Sequence, residues 1–285
     1  MDAYEQLDVV FYGVRGSRPV VSARHLEYGG NTACVGVRAG SKWILLDAGS
    51  GIAGASHPFS ADETVDVFLS HLHHDHVMGL MFFRRIQSRE RVSIYLHESF
   101  LASLEPYWAS PYFPIHLRDA SPRVSLCPLG AKTSMRWIGS GWTAGDPCEQ
   151  EGLWLHAMFL PEVAHPRDGV MVYKVVYHGK SVVYASDVEL GDARVMEAVA
   201  DFSHGATVLI CDAHYTDEEY RTYRGWGHSS LEMAIRLAER CEADQLVLFH
   251  HHPDRDDDAM RALEADARRR FGRAVAAREG LRITC

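Results

Sequence analysis

His71-Leu72-His73-His74-Asp75-His76 is the stretch on which the reading of this chain turns. It follows Val65 to Ser70, where Val65, Val67 and Leu69 alternate with Asp66, Phe68 and Ser70, the pattern of a strand. In extended backbone His71 and His73 project to the same side and can grip one ion. A helix expected to start near Val77 turns the chain, so that Asp75 and His76 reach a second ion. Imidazole with carboxylate and no thiolate suits Zn²⁺, with Mn²⁺ or Fe also compatible. The competing reading is a surface histidine cluster. His74 is expected to face away from the pair at 71 and 73.

The composition sets the frame around that stretch. There are 17 His among 285 residues, where ordinary usage of ~2% would give about 6–7. A second dense run is His250-His251-His252. Hydrophobic residues make up 47% and charged residues 24%, which suits a globular chain with a sizeable core. The expectation is one domain over 1–285, with a loop-rich, substrate-shaping region around 98–150. A net charge of −9 argues against general affinity for nucleic-acid backbones, although a local pocket for one small anion stays open. The N-terminal MDAYEQLDVV lacks the basic region of a signal peptide, and no apolar run approaches the ~18–20 residues of a membrane span. Cys34, Cys127, Cys148, Cys211, Cys241 and Cys285 form no C-x-x-C pair and read as free thiols, mostly core fillers, in a reducing cytoplasm.

Outward from the histidines, strands are expected at Val9 to Val14, at Ala33 to Arg38 and Lys42 to Asp47 as a pair, and at Val92 to Leu96. Residues 77–150 are otherwise the least regular part. A short helix is expected at Glu98 to Glu105, an aromatic stretch covers Tyr107 to Phe113, and Gly139 to Asp146 reads as loop. Order resumes with a strand at Leu153 to Leu160 and a hairpin of Val170 to Tyr177 with Ser181 to Ala185. Further strands are Val208 to Cys211 and Gln245 to Phe249. Helices are expected at Ala193 to Ala200, at Ser229 to Cys241 with a serine N-cap, and at Asp256 to Phe271. Thr216 to Tyr220 reads as an acidic turn. In both halves histidines stand just beyond strand ends, where α/β proteins build their sites.

The motif resembles the signature of the metallo-β-lactamase fold superfamily, whose members are α/β (α+β) four-layer αββα sandwiches. The resemblance runs over essentially the whole chain. Its landmarks are Gly13-Val14-Arg15-Gly16-Ser17, Tyr28-Gly29-Gly30-Asn31-Thr32, the His motif, Tyr184-Ala185-Ser186-Asp187 and Gly225-Trp226-Gly227-His228-Ser229. Together these are most similar to the branch of RNase Z and of cyclic-phosphate and cyclic-nucleotide phosphodiesterases. The resemblance implies that His71, His73 and His165 hold one divalent ion, that Asp75, His76 and His250 hold another, and that Asp187 bridges them. His251 and His252 compete for the role of His250. Asp47 matches the family's early strand-end acid, a support for the metal loop.

Two divalent ions, on this reading Zn²⁺, would supply a metal-bound hydroxide to attack phosphorus, oriented by Asp75. His228 would protonate the leaving oxygen or hold a non-bridging one. RNase Z carries G-H-S-T there, and this chain differs only in the last residue, Ser230. Asp212 would orient a histidine. His214 and Asn31 would contact substrate, with Arg15 and Ser17 as weaker candidates. The implied activity is hydrolysis of a small phosphodiester, a cyclic nucleotide or cyclic phosphate. Alternatives are an RNA 3′-processing nuclease, disfavoured by the missing basic Gly/Pro-rich arm and the net −9, or a lactone, lactam or thioester hydrolase. No membrane partner is expected, and a homodimer is compatible with the sequence.

Overall fold

The computed structural model describes residues 6–56, 64–88, 91–111, 116, 119, 123–145, 151–161, 163–165 and 168–285. Expectations that fall on Tyr112, Phe113, Pro114, Asp146, Cys148, Glu162 and Pro166 lie outside them.

The first sheet is built from β1 (Leu7–Gly13), β2 (Cys34–Ala39), β3 (Lys42–Leu46), β4 (Val65–Phe68), β5 (Val92–His97) and β6 (Val124–Leu129). The chain then lays down β7 (Lys132–Trp137), β8 (Trp142–Ala144), β9 (Leu153–Leu160), β10 (Val170–Tyr177), β11 (Lys180–Ala185), β12 (Val208–Asp212), β13 (Gln245–Phe249) and β14 (Ala274–Ala276) as a second sheet. The last strand of the chain, β15 (Arg282–Thr284), returns to the edge of the first sheet beside β1. The orders are β15-β1-β2-β3-β4-β5-β6 and β14-β13-β12-β11-β10-β9-β7-β8.

Alternation along the strands divides the core into layers. In β11, β12 and β13, Val182, Tyr184, Val208, Ile210, Val247 and Phe249 face the other sheet and meet Phe11, Val35, Ile44 and Phe68. Their neighbours Val183, Ala185, Leu209, Cys211, Leu246 and Leu248 face outward, under helices. Of the longer helices, α4 (Ala193–Ser203), α6 (Leu231–Arg240) and α7 (Asp257–Arg270) cover that side, while α1 (His74–Val77), α2 (Arg84–Gln87) and α3 (Leu101–Tyr107) lie on the outer side of the first sheet. The result is the αββα sandwich.

Several local expectations need correction. The helix of the His motif begins at His74, not near Val77, because Asp75 and His76 are already helical. The expected loop at 139–146 contains β8, which pairs Trp142 with Trp137 in a polar edge hairpin. Thr216 to Tyr220 is no mere turn. Thr216 opens α5 (Asp217–Tyr223), where a capping box couples its side chain to the Glu219 amide and the Glu219 carboxylate to its own amide. Among the described residues no helix is long and apolar enough to cross a membrane.

Candidate metal centre

The site lies at the ends of β3, β4, β11, β12 and β13, where the two sheets meet. Three of its residues, Asp47, Asp187 and His250, have φ of 61°, 56° and 58°. Such left-handed backbone is unfavourable for residues with a Cβ, and here it follows a strand end each time. The kink turns a side chain that would have lain on a sheet face into the gap between the sheets. Gly16 makes room for the last of them, since a Cβ there would stand 2.5 Å from the His250 ring.

The structure gathers the seven expected ligand residues into two adjoining groups. Ligand atoms of His71, His73, His165 and Asp187 lie within 4.8 Å of one another, as do those of Asp75, His76 and His250. Asp187 reaches across both. Its Oδ1 is 3.8 Å from His71 Nε2, and its Oδ2 is 3.1 Å from His76 Nε2 and 3.2 Å from His250 Nε2.

Supporting bonds set which ring nitrogen is free. Asp47, fully buried, accepts the Nδ1–H of His76 at 2.6 Å, the Ser70 amide at 2.6 Å and the Tyr184 hydroxyl at 2.7 Å. His76 therefore turns Nε2 into the cluster. Asp75 Oδ2 accepts the Ser17 amide at 2.6 Å and lies 3.1 Å from His250 Nε2. Asp212 accepts the amides of His214 and Ser229 on Oδ1, each at 3.0 Å, and His228 Nδ1–H on Oδ2 at 2.9 Å.

These residues fit divalent cations. Among the described residues, the ion-pair partners of Asp47, Asp75, Asp187 and Asp212 are all histidines. Four buried carboxylates without a Lys or Arg call for positive charge. His73 Nδ1 and His165 Nε2 face each other at 3.1 Å, and the Nε2 atoms of His76 and His250 at 3.2 Å. Two lone pairs at that distance repel unless a proton or metal lies between them. The Nε2 of His71 is buried with no hydrogen-bond partner.

Protonation preferences agree with that reading. Burial holds His71 well below the usual imidazole range, lowers His73 and takes His165 down to about 4, leaving the neutral form that ligates metals. Burial opposes ionisation of Asp75 and Asp187, yet the facing histidines keep both well below the carboxylate range. Without an ion that positive charge falls to His76, which burial lowers but Asp187, Asp75 and Asp47 together raise well above its usual value. His228 likewise loses to burial and gains more from Asp212, ending at about 9.

The other sequence candidates sort plainly. His251 is not at the cluster, because its Nε2–H goes to the Ala277 carbonyl at 2.7 Å, and His252 packs 4.8 Å from the His214 ring. His214 is buried, donates Nδ1–H to the His250 carbonyl at 2.8 Å and lies against His228 with centroids 4.3 Å apart. Asn31 binds Glu279 and Ser50 rather than the cluster, and Arg15 donates Nε–H to the Gly29 carbonyl and Nη1–H to the Arg255 carbonyl. His74 is exposed, with Nδ1 2.8 Å from the Tyr107 hydroxyl. Sequence reasoning missed the direct support from Ser70 and Tyr184, and the clash that keeps position 16 a glycine. Only the second is hinted at, by the Gly-rich loop itself.

The family described as beta-lactamase superfamily domain matches residues 42–251, the span that holds all seven clustered residues. The chain belongs to that superfamily of metal-dependent hydrolases. Among its relatives, Ribonuclease Z of Ignicoccus hospitalis is 27% identical over 90% of each chain. Among solved structures, the metallo-beta-lactamase fold protein YhfI from Bacillus subtilis superposes with a TM-score of 0.71 at 19% identity, covering 97% of this chain and 99% of that one. A diphosphatase from the PhnP family gives 0.66 at 17%, covering 98% and 97%.

Proposed function

We propose that this protein is a dinuclear metal-dependent phosphodiesterase for a small substrate, a cyclic nucleotide or cyclic phosphate. His71, His73 and His165 would hold one ion, Asp75, His76 and His250 the second, and Asp187 both. Divalent ions in such a pair, with Zn²⁺ best suited to the donor set, supply a water activated near neutral pH and offset charge growing on phosphoryl oxygens.

The observation that carries the phosphodiester reading is the Asp212–His228 pair. His228 Nδ1 is 2.9 Å from Asp212 and 3.7 Å from Asp187, so its ring stands beside the shared carboxylate. With its pKa raised to about 9 it is protonated at neutral pH and can hand a proton to a departing alkoxide. Asp75, fixed by the Ser17 amide, would orient the attacking water. His214 walls the donor ring, and Asp47 keeps His76 in the tautomer that presents Nε2.

A second reading, RNA 3′-end processing, is favoured by the likeness to Ribonuclease Z over 90% of the chain. The net charge of −9 weighs against it, since a polyanion gains its affinity from basic surface. The discriminating experiment supplies metal-replete protein with bis-p-nitrophenyl phosphate, a lactone and a thioester, then with cyclic mononucleotides, cyclic phosphate sugars and short RNA. Turnover of the diester and of a cyclic phosphate is expected. Hydrolysis of the lactone or thioester alone would overturn the proposal, and preference for RNA would select the second reading.

A further inference from the structure

Glu189 stands two residues beyond Asp187 and is only 8% exposed. No Lys or Arg pairs with its carboxylate among the described residues. Instead Oε1 accepts the Tyr220 hydroxyl and the Gly225 amide, both at 2.8 Å, and Oε2 accepts the amides of Gly225 at 3.0 Å and Gly227 at 2.9 Å. Gly225 and Gly227 each have φ of 87°, so the loop between α5 and α6 is a left-handed turn with its amides aimed at one anion. The next residue is His228. The backbone of the same Glu189 donates to the Ala164 carbonyl at 2.8 Å, beside His165, and His165 Nδ1 in turn lies 3.4 Å from the Gly227 carbonyl. On either side, the Ser229 hydroxyl donates to Val188 at 2.6 Å and accepts from the Leu190 amide at 3.0 Å.

We propose that Glu189 is a positioning residue: its carboxylate gathers the Gly225–Gly227 amides and so sets where the His228 imidazole stands relative to Asp187. It touches no reacting atom. A loop with two glycines is intrinsically free in both φ and ψ, and charge-assisted bonds to Glu189 restrict that freedom here. Trp226, between the two glycines, is 64% exposed and adds little burial to hold the loop. Asp212 fixes the rotation of the His228 ring and, through the Ser229 amide, the backbone after it, while Glu189 fixes the backbone before it. The inference rests on the proton-donor role of His228 given under the proposed function.

The test compares wild type, Glu189→Ala, Glu189→Gln and His228→Ala in the metal-replete protein, with two readouts. Hydrogen exchange of the Gly225 and Gly227 amides is expected to quicken by roughly 10- to 100-fold in Glu189→Ala, the equivalent of about one charge-assisted hydrogen bond. Glu189→Gln, which keeps an acceptor oxygen, should recover part of that. The second readout is the ratio of kcat for an alkyl-leaving-group diester to kcat for bis-p-nitrophenyl phosphate. It is expected to fall about tenfold in Glu189→Ala, in the direction of His228→Ala, with KM little changed. Unaltered amide exchange, or loosened amides with an unaltered ratio, would overturn the inference. Absence of diester turnover in wild type would instead defeat the proposed function, and the exchange readout would still decide whether Glu189 holds the loop.

Discussion

Replacing His228 by alanine removes a proton donor and leaves the residues of both ligand groups in place. Metal content should therefore stay at the wild-type level while turnover of a diester with a poor leaving group falls roughly 10²-fold or more. Steady-state kinetics paired with metal analysis checks this, and unchanged turnover with intact metal would remove His228 from the chemistry. Gly16 makes a complementary prediction. Gly16→Ala puts a methyl group 2.5 Å from the His250 ring, so the ring must shift away from Asp75 and Asp187. The variant should retain metal at the His71–His73–His165 group and lose it from the other, visible as a drop in ions bound per chain. At this scale the sequence names the residues that the fold brings together, His71 and His73 through their spacing in the His motif and His165, Asp187 and His250 only through the family resemblance. It was poor for what orients them. Tyr184 and Ser70 reach Asp47 through tertiary contacts, and nothing in local sequence marks a tyrosine 137 positions away as a partner.

Among the elements, long buried strands and amphipathic helices were read well because each carries a repeating signal. The hairpin of β10 and β11 forms as expected, with Lys180 paired to Tyr177 and so joining the strand one residue before the expected start at Ser181. Ser230 caps α6 and Asp256 caps α7, as the serine and acidic starts suggested. Failures cluster where tertiary context replaces pattern. Strands β7 and β8 lie at a sheet edge and are polar, with Lys132, Thr133, Ser134 and Arg136 giving no apolar alternation. The start of α5 was misread although Thr216 and Glu219 stand at capping-box spacing, because the run of acids reads equally as a turn. Thr216→Ala should destabilise the protein by about 1 kcal/mol, measured as a lower urea midpoint with unchanged slope. The α5–α6 loop carries His228, so the same variant tests whether that segment melts with the rest of the protein or before it.

Over the whole molecule, the acidic balance acquires a location. Part of the net −9 is carried by Asp47, Asp75, Asp187 and Asp212, all buried in one place and, among the described residues, without a Lys or Arg partner. Two divalent ions would offset those four charges, whereas their removal leaves like charges crowded between the sheets. Chelation should accordingly lower the melting temperature and expose the strand-end loops to proteolysis, and re-addition of metal should reverse both. The two-sheet architecture was legible through the family resemblance, while strand alternation and the strand-end histidines by themselves pointed only to an α/β protein with its site at strand ends. The left-handed turns at Asp47, Asp187 and His250 were not, since no local rule places an acid or a histidine in that conformation without a glycine.

The most direct measurement is the number of divalent ions bound per chain after saturation with Zn²⁺, Mn²⁺ or Fe²⁺ and removal of excess, in wild type and in His165→Ala, His76→Ala and Asp187→Asn. Two ions per chain in wild type, one in each histidine variant and weakened binding of both in Asp187→Asn are the predicted result. Wild-type protein that binds none of these ions, or histidine variants that still hold two, would contradict the account.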